Sequence, residues 1–396
     1  MQEIEKKKSE MRGEVPEGWK LLKLKDIAKV TSGTTPLRSN SEYHKNGSIH
    51  WVKTTDLNNS KIFETEEKIT EKAFRETSLR KYPIGTVLVA MYGGFNQIGR
   101  TGILQIEATT NQALSALTVD IEKVDPVFLI NWLNGKVGDW KRLAGSSRKD
   151  PNITSKDVGD FPFLLIPLPE QQAIADCLST WDGAIQVSEQ LIRQKELQKK
   201  WLMQQLLTGK KRLKGFGEEW EDVELGDLLE YQQPTKHLVK STLYSNSYKT
   251  PVLTAGKTFI LGYTNELEGI CRNLPVMIFD DFTTASKYVD FPFKAKSSAM
   301  KLLRPKPDVN LKFVYESMRL INYVVGGHER HWISKFTYLS ISIPTYYEQN
   351  AIASVISESD RELDLLRNRL QKIREQKKGL MQVLLTGKRR LRIQTK

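Results

Sequence analysis

Apolar residues recur at steps of three and four over two long stretches of the chain. In the later one, positions 352, 356, 359, 363, 366, 370, 373, 377, 380 and 384 alternate steps of four and three, and eight of the ten are apolar, Ser359 and Lys377 being the exceptions. The matching positions from 174 to 206 hold seven apolar residues. This heptad period, sustained over four repeats, predicts two long helices that pack on one another as a coiled coil. The seam expected to pair them consists of Ile174, Leu178, Ile185, Ile192, Leu202 and Leu206, with Ile352, Ile356, Leu363, Leu366, Leu370, Ile373, Leu380 and Leu384. Each stretch is entered through a proline-bearing segment, IPLPEQ (166–171) and IPTYYEQ (343–349). Each is left through Thr-Gly and a run of cations. Gly209 and Gly387 suit the left-handed position after a helix, and the cations complement the helix dipole.

The two stretches are copies. Residues 170–213 align with 348–391 at a constant offset of 178, and 20 of the 44 pairs are identical. Ahead of each lies a globular segment, and the two segments begin alike, at Gly18-Trp19-Lys20 and Glu219-Trp220-Glu221. The chain therefore reads as module-plus-helix, twice. Within the modules, short β-rich runs such as Gly85–Ala90, Leu114–Val119, Val276–Phe279 and Ala299–Leu303 predict strands, while Pro126–Leu133 and Val309–Ile321 predict helices. The expected fold class is α+β: two globular α/β-mixed domains separated by two long antiparallel helices that form a pseudo-twofold stalk. The expected boundaries are 1–165 for the first module, 166–214 for the first helical region, 215–342 for the second module and 343–396 for the second helical region.

Charge adds a partner to this pattern. The 396 residues carry 60 Lys/Arg against 47 Asp/Glu, a net +13. Residues 193–214 contribute +7 and residues 361–396 contribute +9, so the remainder sums to −3. A basic surplus of this kind suits a polyanion such as nucleic acid. The two cysteines, Cys177 and Cys271, lie far apart in the chain. They exclude a disulfide framework and a four-cysteine zinc site and suit a reducing cytoplasm. No apolar run approaches the ~18 residues of a membrane span, and the N-terminal residues lack the apolar core of a signal peptide.

Catalytic constellations are missing. Leu-Thr-Gly-Lys at 207–210 has Gln204 where a phosphate loop needs its first glycine, and Lys211 where it needs Ser/Thr; a helix C-terminus also repels anions. No Asn-Pro-Pro-aromatic or Asp-Pro-Pro-Tyr turn is present to hold an amine against a methyl donor. His328 and His331 have metal-ligand spacing but no third ligand nearby. The expectation is a non-catalytic chain with no catalytic residue, no metal and no cofactor of its own.

Polar loops after apolar strands suit DNA contacts better. They supply Tyr92, Asn96, Gln97 and Arg100 in the first module and Thr283, Thr284, Lys287 and Tyr288 in the second. Two cation-bearing clusters, at comparable places late in each module, add Ser147, Arg148 and Lys149, and Arg330, His331 and Trp332.

Taken together, the chain resembles the specificity subunit of type I restriction-modification enzymes over nearly its whole length. The carriers are the EQ-x-x-I-A entries at Glu170-Gln171 and Glu348-Gln349, the LLTGK exits, His50-Trp-Val-Lys-Thr-Thr-Asp-Leu57, Thr109-Thr-Asn-Gln-Ala113, Leu253-Thr-Ala-Gly-Lys257 with Gly262-Tyr263, and Asp280-Asp-Phe-Thr-Thr284 with Ser298-Ala-Met300. Lys53, Thr54, Lys257 and Tyr263, within these stretches, join the candidate DNA contacts. The resemblance implies two target-recognition domains, each reading one half of a split, asymmetric site in double-stranded DNA. It also implies helices that hold two modification (methyltransferase) subunits, with restriction/translocase subunits joining that core. S-adenosylmethionine, ATP and Mg would then belong to the partners.

Overall fold

The structure is a computed structural model that describes residues 15–145, 151–256, 258–323 and 330–391. The chain divides into two compact units, 1–188 with 369–396, and 189–368. The division runs through both long helices, so each unit holds one module, the first half of the helix that follows it and the last half of the other helix.

In the first unit the strands are β1 (Lys20–Lys23), β2 (Ala28–Ser32), β3 (Ile49–Val52), β4 (Ser60–Ile62), β5 (Glu67–Ile69), β6 (Val87–Ala90), β7 (Thr101–Leu104), β8 (Thr109–Thr110), β9 (Leu114–Val119) and β10 (Pro162–Leu165). The main sheet runs β2-β9-β6-β7-β4, a smaller one runs β5-β3-β8, and β1 pairs with β10. Helices α1 (Pro126–Asn134) and α2 (Val137–Gly145) follow β9, and the long helix α3 spans Leu168–Leu206. All four residues of β6 are buried, as are Phe128, Leu129 and Trp132 of α1, which pack with Val87 and Val89 in one core.

The second unit carries β11 (Glu221–Glu224), β12 (Leu229–Gln232), β13 (Thr250–Leu253), β14 (Ile260–Thr264), β15 (Val276–Asp280), β16 (Ser286–Val289), β17 (Lys294–Ala295), β18 (Met300–Pro305) and β19 (Ser340–Ile343). Its sheets run β12-β18-β15-β16, β14-β13-β17 and β11-β19. Apart from β4, every strand of the first module has a counterpart here in the same order, including the parallel pairs β3·β8 and β13·β17. Helix α4 (Leu311–Met318) stands where α1 stands, the short α5 (His331–Ser334) precedes β19, and the long helix α6 spans Tyr346–Leu384. The modules, dissimilar in sequence, share a topology.

The repeated motifs have equivalent work in each unit. Gln171 accepts the Asp125 N–H at 2.9 Å and donates to the Lys123 and Ile166 carbonyls. Gln349 accepts the Asn310 N–H at 2.9 Å and donates to the Pro344 carbonyl. Asp125 and Asn310 are the N-caps of α1 and α4, so each glutamine joins a long helix to the start of its module's helix. Glu170 and Glu348, both about 1% exposed, each hold an arginine from the exit of the other long helix: Arg390 in the first unit, Arg212 in the second. Gly387 sits at φ +72°, and a Cβ there would come 2.5 Å from Pro16 Cγ, so glycine is required both by conformation and by space.

The helices run antiparallel within each unit. In the first, Glu170 meets Arg390 and Asp182 meets Lys377. In the second, Lys195 meets Glu362, Lys199 meets Asp360 and Arg212 meets Glu348. The seam residues are buried at Ile174, Leu178, Ile192, Leu206, Ile352, Ile356, Leu363, Leu370 and Leu384, and half-buried at Ile185, Leu202, Leu366, Ile373 and Leu380. At its ends the seam does more than pair helices. Ile174, Leu178 and Leu384 belong to the first module's core, and Leu206, Ile352 and Ile356 to the second's. Lys377, the charge in the predicted seam, and its counterpart Lys199 are the partners of Asp182 and Asp360. A charged pair at one seam position specifies register more than it adds stability.

Candidate nucleic-acid interface

In both modules the candidate loops join the same two strands. Residues 91–100 connect β6 to β7 in the first module. The buried run ends at Met91, and Gly93 and Gly94 then take φ +105° and +75°, a backbone other residues rarely adopt. A Cβ on Gly93 would lie 2.8 Å from the Gln97 side chain, and one on Gly99 would lie 2.8 Å from Trp140, itself stacked on Phe161 at 3.7 Å. The glycines thus let the loop fold tightly over the core. Tyr92 and Asn96 are exposed at its crest, and Gln97 and Arg100 are half-buried. Thr54 Oγ1 lies 4.0 Å from the position of a Cβ on Gly93, which brings this threonine to the same loop.

Lys53 is engaged within the module. Its ammonium binds Glu66 at 2.9 Å and Glu67 at 2.6 Å, and only 16% of the side chain is exposed. Partial burial works against the charge, and the two carboxylates overcome it, so its pKa lies above the ordinary lysine value. A lysine already neutralised by two acids has little left for a phosphate.

In the second module residues 281–285 connect β15 to β16. Asp280 Oδ1 accepts the N–H groups of Phe282 at 3.0 Å and Thr283 at 2.9 Å, and Thr284 follows at φ +58°. This turn leaves Phe282 and Thr283 exposed at the tip, with Thr284 half-buried. Arg330 is exposed beside it, because the next residue's N–H donates to the Asp281 carbonyl at 3.0 Å.

Three second-module candidates face inward. Trp332 is 2% exposed with its ring edge-on to Phe279 at 5.4 Å, and His331 is fully buried with Nδ1 3.2 Å from the Tyr323 hydroxyl. These rings pack under the hairpin and cannot reach a base edge from there. Tyr288 sits against Tyr315 at 6.0 Å, with the Lys312 ammonium 5.2 Å from its ring; burial raises its hydroxyl pKa. Lys287 and Tyr263 are half-buried, on β16 and β14. Ser147, Arg148, Lys149 and Lys257 lie outside the described residues.

The structure thus gathers Thr54, Tyr92, Asn96, Gln97 and Arg100 in one module, and Thr283, Thr284 and Arg330 in the other. It adds two residues the sequence reasoning passed over, Phe95 and Phe282, each 48% exposed on the equivalent loop. The signal for them was an aromatic side chain inside a glycine- or hydroxyl-rich loop, where no core claims it. Among the described residues, no cluster of three or more His, Cys, Asp or Glu could hold a metal ion, and no helix is long and apolar enough to cross a membrane.

The chain is 48% identical over 160 residues to the EcoR124I/EcoR124II type I restriction enzyme specificity subunit of Escherichia coli, a match spanning 39% of each chain. It is 27% identical to a Methanocaldococcus jannaschii chain assigned as the MjaX type I restriction enzyme specificity subunit, over 98% of this chain and 97% of that one. Its fold matches the crystal structure of a type I restriction-modification S subunit from M. genitalium with a TM-score of 0.60, covering 92% of this chain and 96% of that one at 14% identity. The profile of the type I restriction modification DNA specificity domain matches residues 16–197 and again residues 217–375. With both modules and most of both long helices inside those two matches, the chain belongs to the type I restriction-modification DNA specificity family.

Proposed function

We propose that this chain chooses the DNA sequence at which a type I restriction-modification complex acts, and performs no chemistry itself. Each module reads one half of a bipartite, asymmetric site in double-stranded DNA. The paired helices carry two modification subunits, and restriction/translocase subunits join them. S-adenosylmethionine, ATP and Mg act on those partners, in the cytoplasm. One observation supports the reading above the rest. Two modules with the same strand order present loops of unlike sequence from the same place on the same sheet, Tyr92–Arg100 in one and Asp281–Ala285 in the other. A scaffold gains nothing from that difference, whereas a reader of two unlike half-sites requires it.

The direct test is methyl transfer to DNA fragments by the chain, by the modification subunit and by the two together. The reading expects transfer only by the combination, and only to fragments that carry the site. Transfer by the chain alone, or by the combination irrespective of sequence, would overturn it.

A further inference from the structure

The tie between the hairpin and the segment before the last strand exists in both modules. Ile153 donates its N–H to the Met91 carbonyl at 3.0 Å, and His331 donates to the Asp281 carbonyl at 3.0 Å. Met91 and Asp281 are each the first residue after the buried central strand, β6 or β15. The backbone tie is therefore common, and the side chain that accompanies it is particular to each module. In the second it is a carboxylate, 1% exposed. Its Oδ1 accepts the Trp332 N–H at 3.0 Å, which fastens the first turn of α5, where Arg330 supplies no side-chain cap. Its backbone N–H donates to the Ala299 carbonyl at 3.2 Å, at the entry of β18. Its Oδ2 faces the Lys301 ammonium at 3.8 Å. Lys301, 5% exposed, is held in place by Gln233 Oε1 at 2.9 Å and the Ser298 carbonyl at 2.7 Å.

A buried carboxylate that ties three segments together at a strand end is costly unless it is well partnered, because desolvation of the charge must be offset. Here the three segments converge beneath Phe282, Thr283 and Arg330. Resting on the reading of this module as a DNA reader, we propose that Asp281 is a positioning residue for base discrimination: its side chain sets the hairpin tip and Arg330 at a fixed distance and angle as one contact surface. The anchor is the acceptor oxygen toward Trp332, and Lys301 faces the other oxygen as its counter-charge. Asp281 itself touches no DNA.

The experiment reads the methylated motif produced in cells by the full chain with its modification subunit. The first half-site serves as internal control. Asp281→Asn keeps an acceptor oxygen and loses the charge. It should leave both half-sites as they are, base discrimination included, while lowering the melting temperature of the purified chain. Asp281→Ala removes the anchor. It should relax discrimination at one or more positions of the second half-site by roughly tenfold, the scale of one lost base contact, with the first half-site unchanged. A merely structural aspartate would lower the yield of methylation without altering base preference, and that outcome overturns the inference. If Asp281→Ala gives no methylation at all, Phe282→Ala and Thr283→Ala decide, since both side chains are exposed: relaxation at the second half-site supports the inference, and an intact second half-site refutes it. A wild-type chain with no bipartite motif would instead refute the proposed function.

Discussion

Arg390 closes a two-point bridge on Glu170, Nε to Oε1 at 2.9 Å and Nη2 to Oε2 at 2.7 Å, and Trp19 adds its indole N–H to the same carboxylate at 3.2 Å. The offset of 178 turns this pair into Arg212 and Glu348, which form the same bridge in the second unit with Nε to Oε1 at 2.6 Å. Each glutamate is buried and each arginine partly exposed, so removing a glutamate's charge loses the bridge without burying an orphan cation. Glu170→Gln should therefore cost about 1.5–3 kcal/mol, the range of hydrogen bonds to charged groups. Thermal melting of Glu170→Gln, Arg390→Gln and the double variant measures it. The effects should be strongly non-additive, because both changes remove one interaction.

A fragment of the first module and its helix, residues 1–214, should self-associate. Arg212 and Lys199 are the repeat counterparts of Arg390 and Lys377, so a second copy offers Glu170 and Asp182 their accustomed partners. One contact changes sign. Glu196 meets Arg367 at 2.6 Å in the whole chain, and the counterpart of Arg367 on the first helix is Glu189. Two glutamates would then face each other at each end of the dimer's centre. Glu196→Gln relieves both contacts and should tighten the dimer by roughly two- to thirtyfold, as exposed pairs are worth only ~0.2–1 kcal/mol each. Sedimentation equilibrium reports both results; a monomeric fragment contradicts the pairing.

Arg330→Ala should weaken DNA binding, since the guanidinium is exposed beside the hairpin tip. A phosphate contact would weaken all sequences alike and reduce the salt slope by ~1, whereas a base contact would cost ~1–3 kcal/mol at one position only. Arg148→Ala, in the comparable cluster of the first module, is expected to behave likewise. Binding titrations of the assembled complex at several salt concentrations separate the cases, and unchanged affinity in both variants removes the clusters from the interface.

Acid should loosen the first module at one identifiable point. Asp160 accepts from the ammonium groups of Lys23 and Lys25, each at 2.8 Å, and these hydrogen bonds lower its pKa from 3.8 to about 2. A carboxyl with a depressed folded pKa lends stability above its unfolded value and loses it as pH falls through the folded one. The advantage of wild type over Asp160→Asn should be constant above about pH 5 and be lost as pH falls through about 2. A side-chain carboxyl titration by NMR locates the midpoint directly.

The long helices were legible because a heptad seam is a local, periodic signal, and because Gly209 and Gly387 mark their ends at φ +67° and +72°. The entry motif was visible as a repeat, but its work was not. Gln171 bonds backbone groups of residues 123, 125 and 166, and nothing in the local pattern announces which main-chain groups a glutamine will meet. The contact surface was harder still. Lys53, His331 and Trp332 have the chemistry of DNA contacts, yet long-range packing gives the lysine two carboxylates and puts both rings in the core. Phe282, an apolar ring, is 48% exposed at the tip. Burial is a property of the assembled module, and residue type alone does not settle it.

The central claim is that two modules read two half-sites independently, and one measurement bears on it most directly. Methylated positions are mapped across the genome of cells that express this chain with its modification subunit, then mapped again after residues 215–342 are replaced by the second module of another family member. The account predicts a motif of two unlike half-sites at a fixed spacing, of which the replacement changes one and leaves the other base for base. A change in both half-sites, or methylation without a bipartite motif, would contradict it.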